Sequence, residues 1–217
     1  MDKFDPNLLA VIFSGVALGL IPLLMITATA FLKISVVLFI IRNALGIQQT
    51  PPSLALYGLA LVLTVYVSTP VIGQIYAKLG DTTIDYHSVT GWQQAADAVR
   101  PPIHDYLTKF ASPSERAFLL AATRKVWPDS TQGAVTEDDL VILVPAFAIS
   151  ELTRAFEIGF LLYIPFIVID IVVSNILMSM GMMMMSPLVV SVPFKLFLFV
   201  LIDGWSRLTH GLILSYG

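Results

Sequence analysis

Two aspartates lie within apolar stretches of the sequence and are its clearest candidates for chemistry. Asp170 and Asp203 stand among aliphatic and aromatic residues. A carboxylate in such surroundings costs free energy because it is removed from water, and it commonly marks an ion-pair partner, a proton relay or a solute pathway. The glycine and tyrosine pattern of intramembrane aspartyl proteases is missing around both residues. Buried ion pairing is therefore the favoured interpretation, and the alternative is a small secondary transporter or ion channel that uses Asp170 and Asp203.

The sequence offers few other residues for catalysis or metal binding. It contains no cysteine, and its histidines have no partner at ligand spacing; they are His87, His104 and His210. No glycine-rich phosphate loop and no hydrolase or zinc-protease motif is present. The net charge of −3, without a basic run, argues against nucleic-acid binding. We therefore expect a protein that is not an enzyme and holds no metal or cofactor.

Several charged residues outside the most polar part of the chain could form ion pairs. Glu151, Arg154 and Glu157 are spaced three apart, so they share one face of a helix that is predicted to begin near Glu137. An unpaired charge buried among apolar residues would be strongly destabilising. The candidates for subunit contacts or buried ion pairs are Lys33, Arg42, Glu151, Arg154, Glu157, Asp170, Lys195 and Asp203.

Methionines are concentrated in one short segment. Six of the eight methionines lie between Met178 and Met185. Methionine is unbranched and flexible, so a ring of such side chains could close without a fixed geometry. Gly181 and Pro187 bracket the run, and this pattern predicts a loop or a broken helix. Apolar filler near a helix end is the alternative interpretation.

The distribution of charge divides the chain into three parts. Residues 78–139 hold 15 of the 27 charged side chains, whereas the flanking parts, 1–77 and 140–217, contain long charge-free stretches. The mean hydropathy is +0.84 and only 12% of residues are charged, about half the usual share for a soluble domain. The sequence thus predicts a polar insert between two apolar regions, with at least three and up to four segments long enough to cross a membrane.

Prolines and capping signals predict the kind of secondary structure. Six prolines lie inside the apolar stretches or at their ends: Pro22, Pro70, Pro145, Pro165, Pro187 and Pro193. Each removes a helical N–H, so the apolar regions are either proline-broken helical hairpins or ordinary kinked spans. Within the insert, a capping box at Ser112–Glu115 predicts a helix to about Val126. Weaker patterns predict helices at Gly91–Val99 and Pro102–Phe110. The expected fold is all-α and membrane-associated, with a small helical soluble insert.

Several long motifs resemble the FliP/SctR family, the export-gate proteins of flagellar and virulence type III secretion systems. The longest is Pro145–Phe160, with the sequence PAFAISELTRAFEIGF. The others are Arg42–Pro52, Gly58–Leu61, Tyr163–Phe166, Asp170, Leu177–Met184, Pro193–Leu196 and Asp203–Trp205. The insert diverges from the family. Met1–Asp5 is net negative and argues against a cleavable signal, so the chain resembles the injectisome branch, with YscR-like members.

The resemblance implies a transport conduit through which unfolded proteins cross the bacterial inner membrane. Members assemble as a ring of five copies with a small hairpin partner (SctS-like) and a larger partner (SctT-like), alongside larger export-gate and switch components. By resemblance, Met182, Met183, Met184 and Met185 form a gasket around secreted proteins in transit. The assembly extends to the periplasmic side. The positive-inside rule, applied to the connection with Lys33 and Arg42, also puts the insert in the periplasm. In such a ring, Glu151, Arg154, Glu157, Lys195 and Asp203 would bridge neighbouring subunits.

Overall fold

The computed structural model describes residues 15, 19, 22–47, 49–80, 89–128, 135–182 and 184–217. Within these ranges the chain is helical and forms no β-strand, which confirms the all-α class. The helices are α1 (Phe31–Ala44), α2 (Ser53–Gly80), α3 (Val89–Phe110), α4 (Pro113–Val126), α5 (Leu140–Ser179), α6 (Pro187–Leu201) and α7 (Gly204–Leu214). Residues 22–27 are also helical.

The core lies between α1 and the 40-residue helix α5. Ile34, Val37, Leu38 and Ile41 recur at helical spacing on one face of α1, and all four are almost fully buried. This stripe packs against α5, while α2 contacts α1, and α3, α4 and α6 contact α5. The long helix α5 therefore carries most of the contacts that hold the chain together.

One glycine allows α1 and α5 to approach closely. A Cβ atom built on Gly159 of α5 would overlap the Cδ1 atom of Ile40 on α1. A larger residue at this position would force the Ile40 side chain or the helices to move, as expected for close packing of apolar helices. Gly159 belongs to the longest motif of the sequence, so part of that motif serves the α1–α5 contact.

The insert is helical, as predicted, although some of its boundaries differ. The separate helices expected on either side of Arg100 are wrong, because α3 runs without interruption from Val89 to Phe110 with two prolines inside it. Its packing against α2 and α5 outweighs the preference of proline for a helix end. Helix α4 begins and ends where predicted. The expected capping-box hydrogen bond of Ser112 is absent, and its hydroxyl pairs instead with that of Ser114 at 2.8 Å.

Helix α5 begins at Leu140, three residues after the predicted start. Asp139 occupies the N-cap position, but its carboxylate turns back and accepts hydrogen bonds from the N–H and the hydroxyl of Thr136, at 2.7 and 3.1 Å. These hydrogen bonds hold the pKa of Asp139 below its usual range, and Arg100 adds to the effect. The polar start of α5 is therefore organised by Asp139 rather than by a conventional cap.

Prolines lie inside the apolar helices without ending them. Pro70 is within α2, Pro145 and Pro165 are within α5, and Pro193 is within α6. At these four positions the structure shows helices that continue through the proline, not helices that are broken at it. The chain changes direction instead between α5 and α6, and between α6 and α7, whose axes meet at 62°.

Two of the described helices, α2 and α5, are long and apolar enough to cross a membrane. The bent pair α6–α7 gives a third span if it is counted as one. Residues 6–32 carry no charge and are long enough for a further span, but only 15, 19 and 22–32 of them are described. The prediction that the chain has no cleavable signal rests on Met1–Asp5, which lies outside the described residues. The division at residues 77/78 and 139/140 stays a prediction.

Candidate functional site

A buried cluster of charged and aromatic side chains lies where α1, α5 and the segment after α7 meet; we call it the Glu151 cluster. The carboxylate of Glu151 is fully buried. Its Oε2 lies 3.3 Å from the Nζ of Lys33, which is 1% exposed, and it also accepts a hydrogen bond from the hydroxyl of Tyr216. Its Oε1 accepts from the Nη1 of Arg154 at 3.1 Å. Both oxygens of the carboxylate are thus engaged within the chain.

Aromatic rings complete this cluster. The ammonium of Lys33 lies 3.6 Å from the centre of the Tyr216 ring, a cation–π contact. Phe110 packs edge-on against the same ring, at a centroid distance of 5.1 Å. Burial raises the pKa of Tyr216 above its ordinary value, and the negative charge of Glu151 adds to the effect. The phenol therefore stays protonated and acts as a hydrogen-bond donor.

The Glu151 cluster also ties the insert to α5. The Nη1 of Arg154 donates to the backbone carbonyl of Phe110, the last residue of α3, at 2.9 Å. Two residues, Ala111 and Ser112, separate α3 from α4, and the N–H of Ser112 donates to the hydroxyl of Ser150 at 2.8 Å. Positions 150, 151 and 154 of α5 thus hold both the ion pair and the α3–α4 corner.

A second buried cluster joins α5, α6 and the end of α1; we call it the Asp170 cluster. The Nζ of Lys195 lies 2.5 Å from the Oδ2 of Asp170 and donates to the carbonyl of Ala44 at 3.1 Å. The hydroxyl of Ser191 donates to the Oδ1 of Asp170 at 2.6 Å. Ser191 and Lys195 are buried, whereas the side chain of Asp170 is 37% exposed. Asp170 is therefore paired and hydrogen-bonded, with one side open.

The remaining charged candidates are placed differently. Arg42 donates to the hydroxyl of Ser53 at 3.0 Å and stacks over the ring of Phe39. Glu157 and Asp203 are exposed, and neither forms an ion pair with any residue that the structure describes. Asp203 adopts the left-handed conformation (φ 56°) at the bend between α6 and α7. The structure thus brings Lys33, Glu151 and Arg154 together, pairs Asp170 with Lys195, and leaves the two exposed acids apart.

The described part of the methionine-rich segment forms a turn between α5 and α6, as Gly181 and Pro187 predict; we call residues 178–182 and 184–186 the methionine turn. Its backbone closes the end of α5 with two hydrogen bonds, from Gly181 N–H to the Met178 carbonyl and from Met182 N–H to the Leu177 carbonyl, both at 3.0 Å. Gly181 has a φ of +74°, which glycine adopts readily. The turn is fixed by its backbone, while Met184 is completely exposed. Met183 lies outside the described residues.

An apolar cavity of about 610 Å³ opens between α5 and α6 beside the methionine turn. Met180, Met182 and Met185 contribute to its wall, together with aliphatic residues of both helices and Phe194. No charged side chain lines it. The arrangement offers a flexible apolar surface rather than a site for a reaction.

The described part of the chain holds no group of three or more histidine, aspartate or glutamate side chains arranged to bind a metal. His104 contacts its neighbour Asp105 at 3.4 Å, and His210 is exposed. His87 lies outside the described residues.

Sequence reasoning missed three residues of these clusters. Ser191 precedes Lys195 by four positions, so helical spacing placed both on one face and was a usable signal. Ser150 adjoins Glu151 within the longest motif but was not singled out. No local pattern marks Tyr216, because its partners Lys33 and Glu151 lie far away along the chain.

Comparison with known proteins identifies the relatives of the chain. The FliP family model matches residues 16–212. The chain is 55% identical over 216 residues to the probable translocation protein y4yL of Sinorhizobium fredii, covering 100% of this chain and 97% of that protein. It is 48% identical to the Yop proteins translocation protein R of Yersinia pestis, covering 92% of each chain. The harpin secretion protein HrcR of Erwinia amylovora is 45% identical, with 99% and 98% covered. The chain therefore belongs to the FliP family, as its motifs indicated.

Proposed function

We propose that the chain is a pore-forming, non-enzymatic subunit of a type III secretion export apparatus of the injectisome branch. The family match supports the export role, and relatives named for translocation of Yop proteins and secretion of harpin support the branch. One observation carries the pore assignment. Met184 is fully exposed in the methionine turn, the turn lies in the charge-free stretch 171–194, and backbone hydrogen bonds hold it, while methionine side chains are intrinsically flexible. Such a turn suits a gasket that narrows around chains of varied shape.

The exposed surface of the chain supports assembly with other subunits and lipid. Its accessible area is 14243 Å², whereas a compact monomer of this mass exposes about 9,800 Å² by the usual scaling with mass. Large apolar side chains are exposed on α2 and α5, among them Val62 and Phe160. Apolar area of this extent requires cover. We propose a ring of five copies that also binds an SctS-like hairpin subunit and a larger SctT-like subunit.

The placement of the charged residues suggests how such a ring is held. Glu151 and Lys195 have their partners inside the chain, so we assign them to the folding of each subunit. Arg154 is partly exposed but also has partners inside the chain, Glu151 and the carbonyl of Phe110. Glu157 and Asp203 are exposed and form no ion pair with the described residues, which leaves these two for contacts with neighbours. This assignment narrows the set of bridging residues that the sequence suggested.

The proposed location is the bacterial inner membrane, with the insert on the periplasmic side. Helices α2 and α5 have the length and composition to cross the membrane, and the bent pair α6–α7 is a third candidate. Larger export-gate and switch components and secreted proteins in transit are the further proposed partners. No cofactor is needed for this role.

The test combines a leak assay with a measurement of native mass. Replacing Met184 and Met185 by alanine shortens two exposed side chains of the methionine turn and should widen the closed pore. We expect increased entry of small ions into cells that produce the complete apparatus. The control is Met25→Ala, because Met25 is 48% exposed, close to Met185 at 43%, but lies outside the turn. The leak of this variant should equal that of the parent.

Native mass decides whether the leak reports on the pore. The detergent-extracted parent, the double variant and the control should each gain mass in the same steps when the two partner subunits are added. Unchanged leak in a correctly assembled double variant would contradict the gasket. A parent that stays a monomer or dimer with its partners present would contradict the ring.

A further inference from the structure

The methionines of the turn differ in how far they are exposed to solvent. Met184 is 101% exposed, whereas Met182 is 38% exposed and Met185 is 43% exposed. Met182 and Met185 line the apolar cavity between α5 and α6, and Met184 does not. The turn therefore presents one methionine fully and holds two others half against an apolar wall.

The methionine turn lies in a stretch of the sequence that offers no charge to pair with a new polar atom. Residues 171–194 include no charged side chain. The hydroxyl of Ser179 already donates to the carbonyl of Ile176 at 2.7 Å. A Cβ atom on Gly181 would meet nothing within 4 Å, so there is open space beside the turn. An oxygen added at Met184 would be accommodated sterically, and it would change the polarity of the surface sharply.

Methionine has one common reaction that adds such an oxygen. A peroxide oxidises the thioether by two electrons: a sulfur lone pair attacks one peroxide oxygen, the O–O bond breaks, and an S–O bond forms. With hydrogen peroxide, the other oxygen leaves as water after proton transfer, and the product is methionine sulfoxide. Susceptibility follows exposure, and the sulfoxide is polar and is reduced by specific reductases.

We propose that peroxides oxidise the methionine turn, with Met184 as the first residue to react, and that the sulfoxide formed there makes the turn polar enough for water to wet it. An apolar constriction excludes water and ions by dewetting, so a polar group in it favours their passage. This second part rests on the proposed function, because it needs the turn to face a pore. Oxidation would loosen the seal reversibly, without a change in the fold.

The site is tested on the purified full chain in detergent. The chain is treated with hydrogen peroxide, and its methionine peptides are followed in time by mass spectrometry. Since the exposed fractions of Met184 and Met182 differ by about 2.7-fold, we expect Met184 to oxidise at least twice as fast as Met182. Met25, which is 48% exposed and lies outside the turn, is the internal reference for the rate of oxidation. Oxidation of Met184 no faster than that of Met182 would overturn the assignment of the site.

The effect on the seal is tested in cells that produce the complete apparatus. Peroxide should increase the ion leak of the parent. Expression of methionine sulfoxide reductases should lower the leak again to its untreated level. The variant in which Met184 and Met185 are leucine keeps similar side-chain volume but has no sulfur at these positions, so its leak should not respond to peroxide. Met25→Leu should respond like the parent.

Failure of this inference and failure of the proposed function give different results. If the alanine variants leak without oxidant but peroxide has no effect on the parent, the constriction stands and the oxidation effect is overturned. If neither the alanine variant nor peroxide changes the leak, both the gasket and the effect of oxidation are contradicted. A peroxide response that persists in the leucine variant places the oxidised residue elsewhere and also overturns the proposal.

Discussion

Replacing Glu151 by alanine removes the only carboxylate of the Glu151 cluster and leaves a buried cation behind. Lys33 is 1% exposed, and of its close contacts with Glu151 and the Tyr216 ring the variant keeps the ring. Removal of one partner from a buried ion pair costs about 3–5 kcal/mol, because the remaining charge stays buried and uncompensated. For a chain of this length, each kcal/mol lowers the Tm by about 2–4 °C, so we expect a decrease of roughly 6–20 °C.

The measurement is thermal unfolding of the detergent-extracted chain, followed by far-ultraviolet circular dichroism. The matched control is Glu157→Ala. Glu157 is the same residue type on the same helix, but it is exposed and has no ion pair with the described residues. A surface substitution of this kind changes stability by less than about 0.5 kcal/mol. The two variants therefore differ mainly in burial and pairing.

A double variant distinguishes the loss of an ion pair from the loss of volume. Lys33→Met combined with Glu151→Leu removes both charges and fills the space with apolar atoms, so it should be more stable than Glu151→Ala. The reasoning is refuted if Glu151→Ala is as stable as Glu157→Ala, or if the double variant is no more stable than the single one. The assay uses the isolated chain, so its result does not depend on ring assembly.

Two further predictions concern the α1–α5 contact and the start of α5. Gly159→Ala should destabilise the chain by about 1–3 kcal/mol, because the new methyl group overlaps Ile40. The control in the same unfolding measurement is Gly58→Ala, whose new methyl group meets nothing within 4 Å. Equal stability of the two variants would contradict this prediction. The lowered pKa of Asp139 means that its stabilising hydrogen bonds to Thr136 are complete above the ordinary value of 3.8 and are lost as the pH falls through the lower folded value. Amide hydrogen exchange at the start of α5 should therefore speed up at acid pH in the parent beyond the intrinsic change, whereas Asp139→Asn should show no such extra pH dependence.

Local signals in the sequence predicted most helices and the methionine turn. The serine-proline pair before α4 located that helix, and Gly181 with Pro187 located the break between α5 and α6. These features depend on neighbours along the chain, and a sequence pattern reports them directly. The prolines in α3 and α5 were harder, because tertiary packing decides whether a proline ends a helix or lies within it.

The candidate site was predicted as a set of residues but not as a set of pairs. The spacing of Glu151, Arg154 and Glu157 suggested one charged stripe, yet the first is fully buried and the last is exposed. The difference arises because α1 and Tyr216 cover only part of that face of α5. Helical spacing gives the direction of a side chain, whereas its partner is set by which distant segment packs there.

The separation of Glu151 from Tyr216 along the chain has a consequence for biosynthesis. Tyr216 is translated 65 residues after Glu151, which corresponds to a delay of about 3–13 s at bacterial elongation rates. During that interval Lys33 and Glu151 are already made, but the phenol that donates to the carboxylate and covers the ammonium does not yet exist. The nascent chain must keep this pair hydrated or bound by another protein until Tyr216 has been synthesised. Completion of the core therefore depends on the rate of translation.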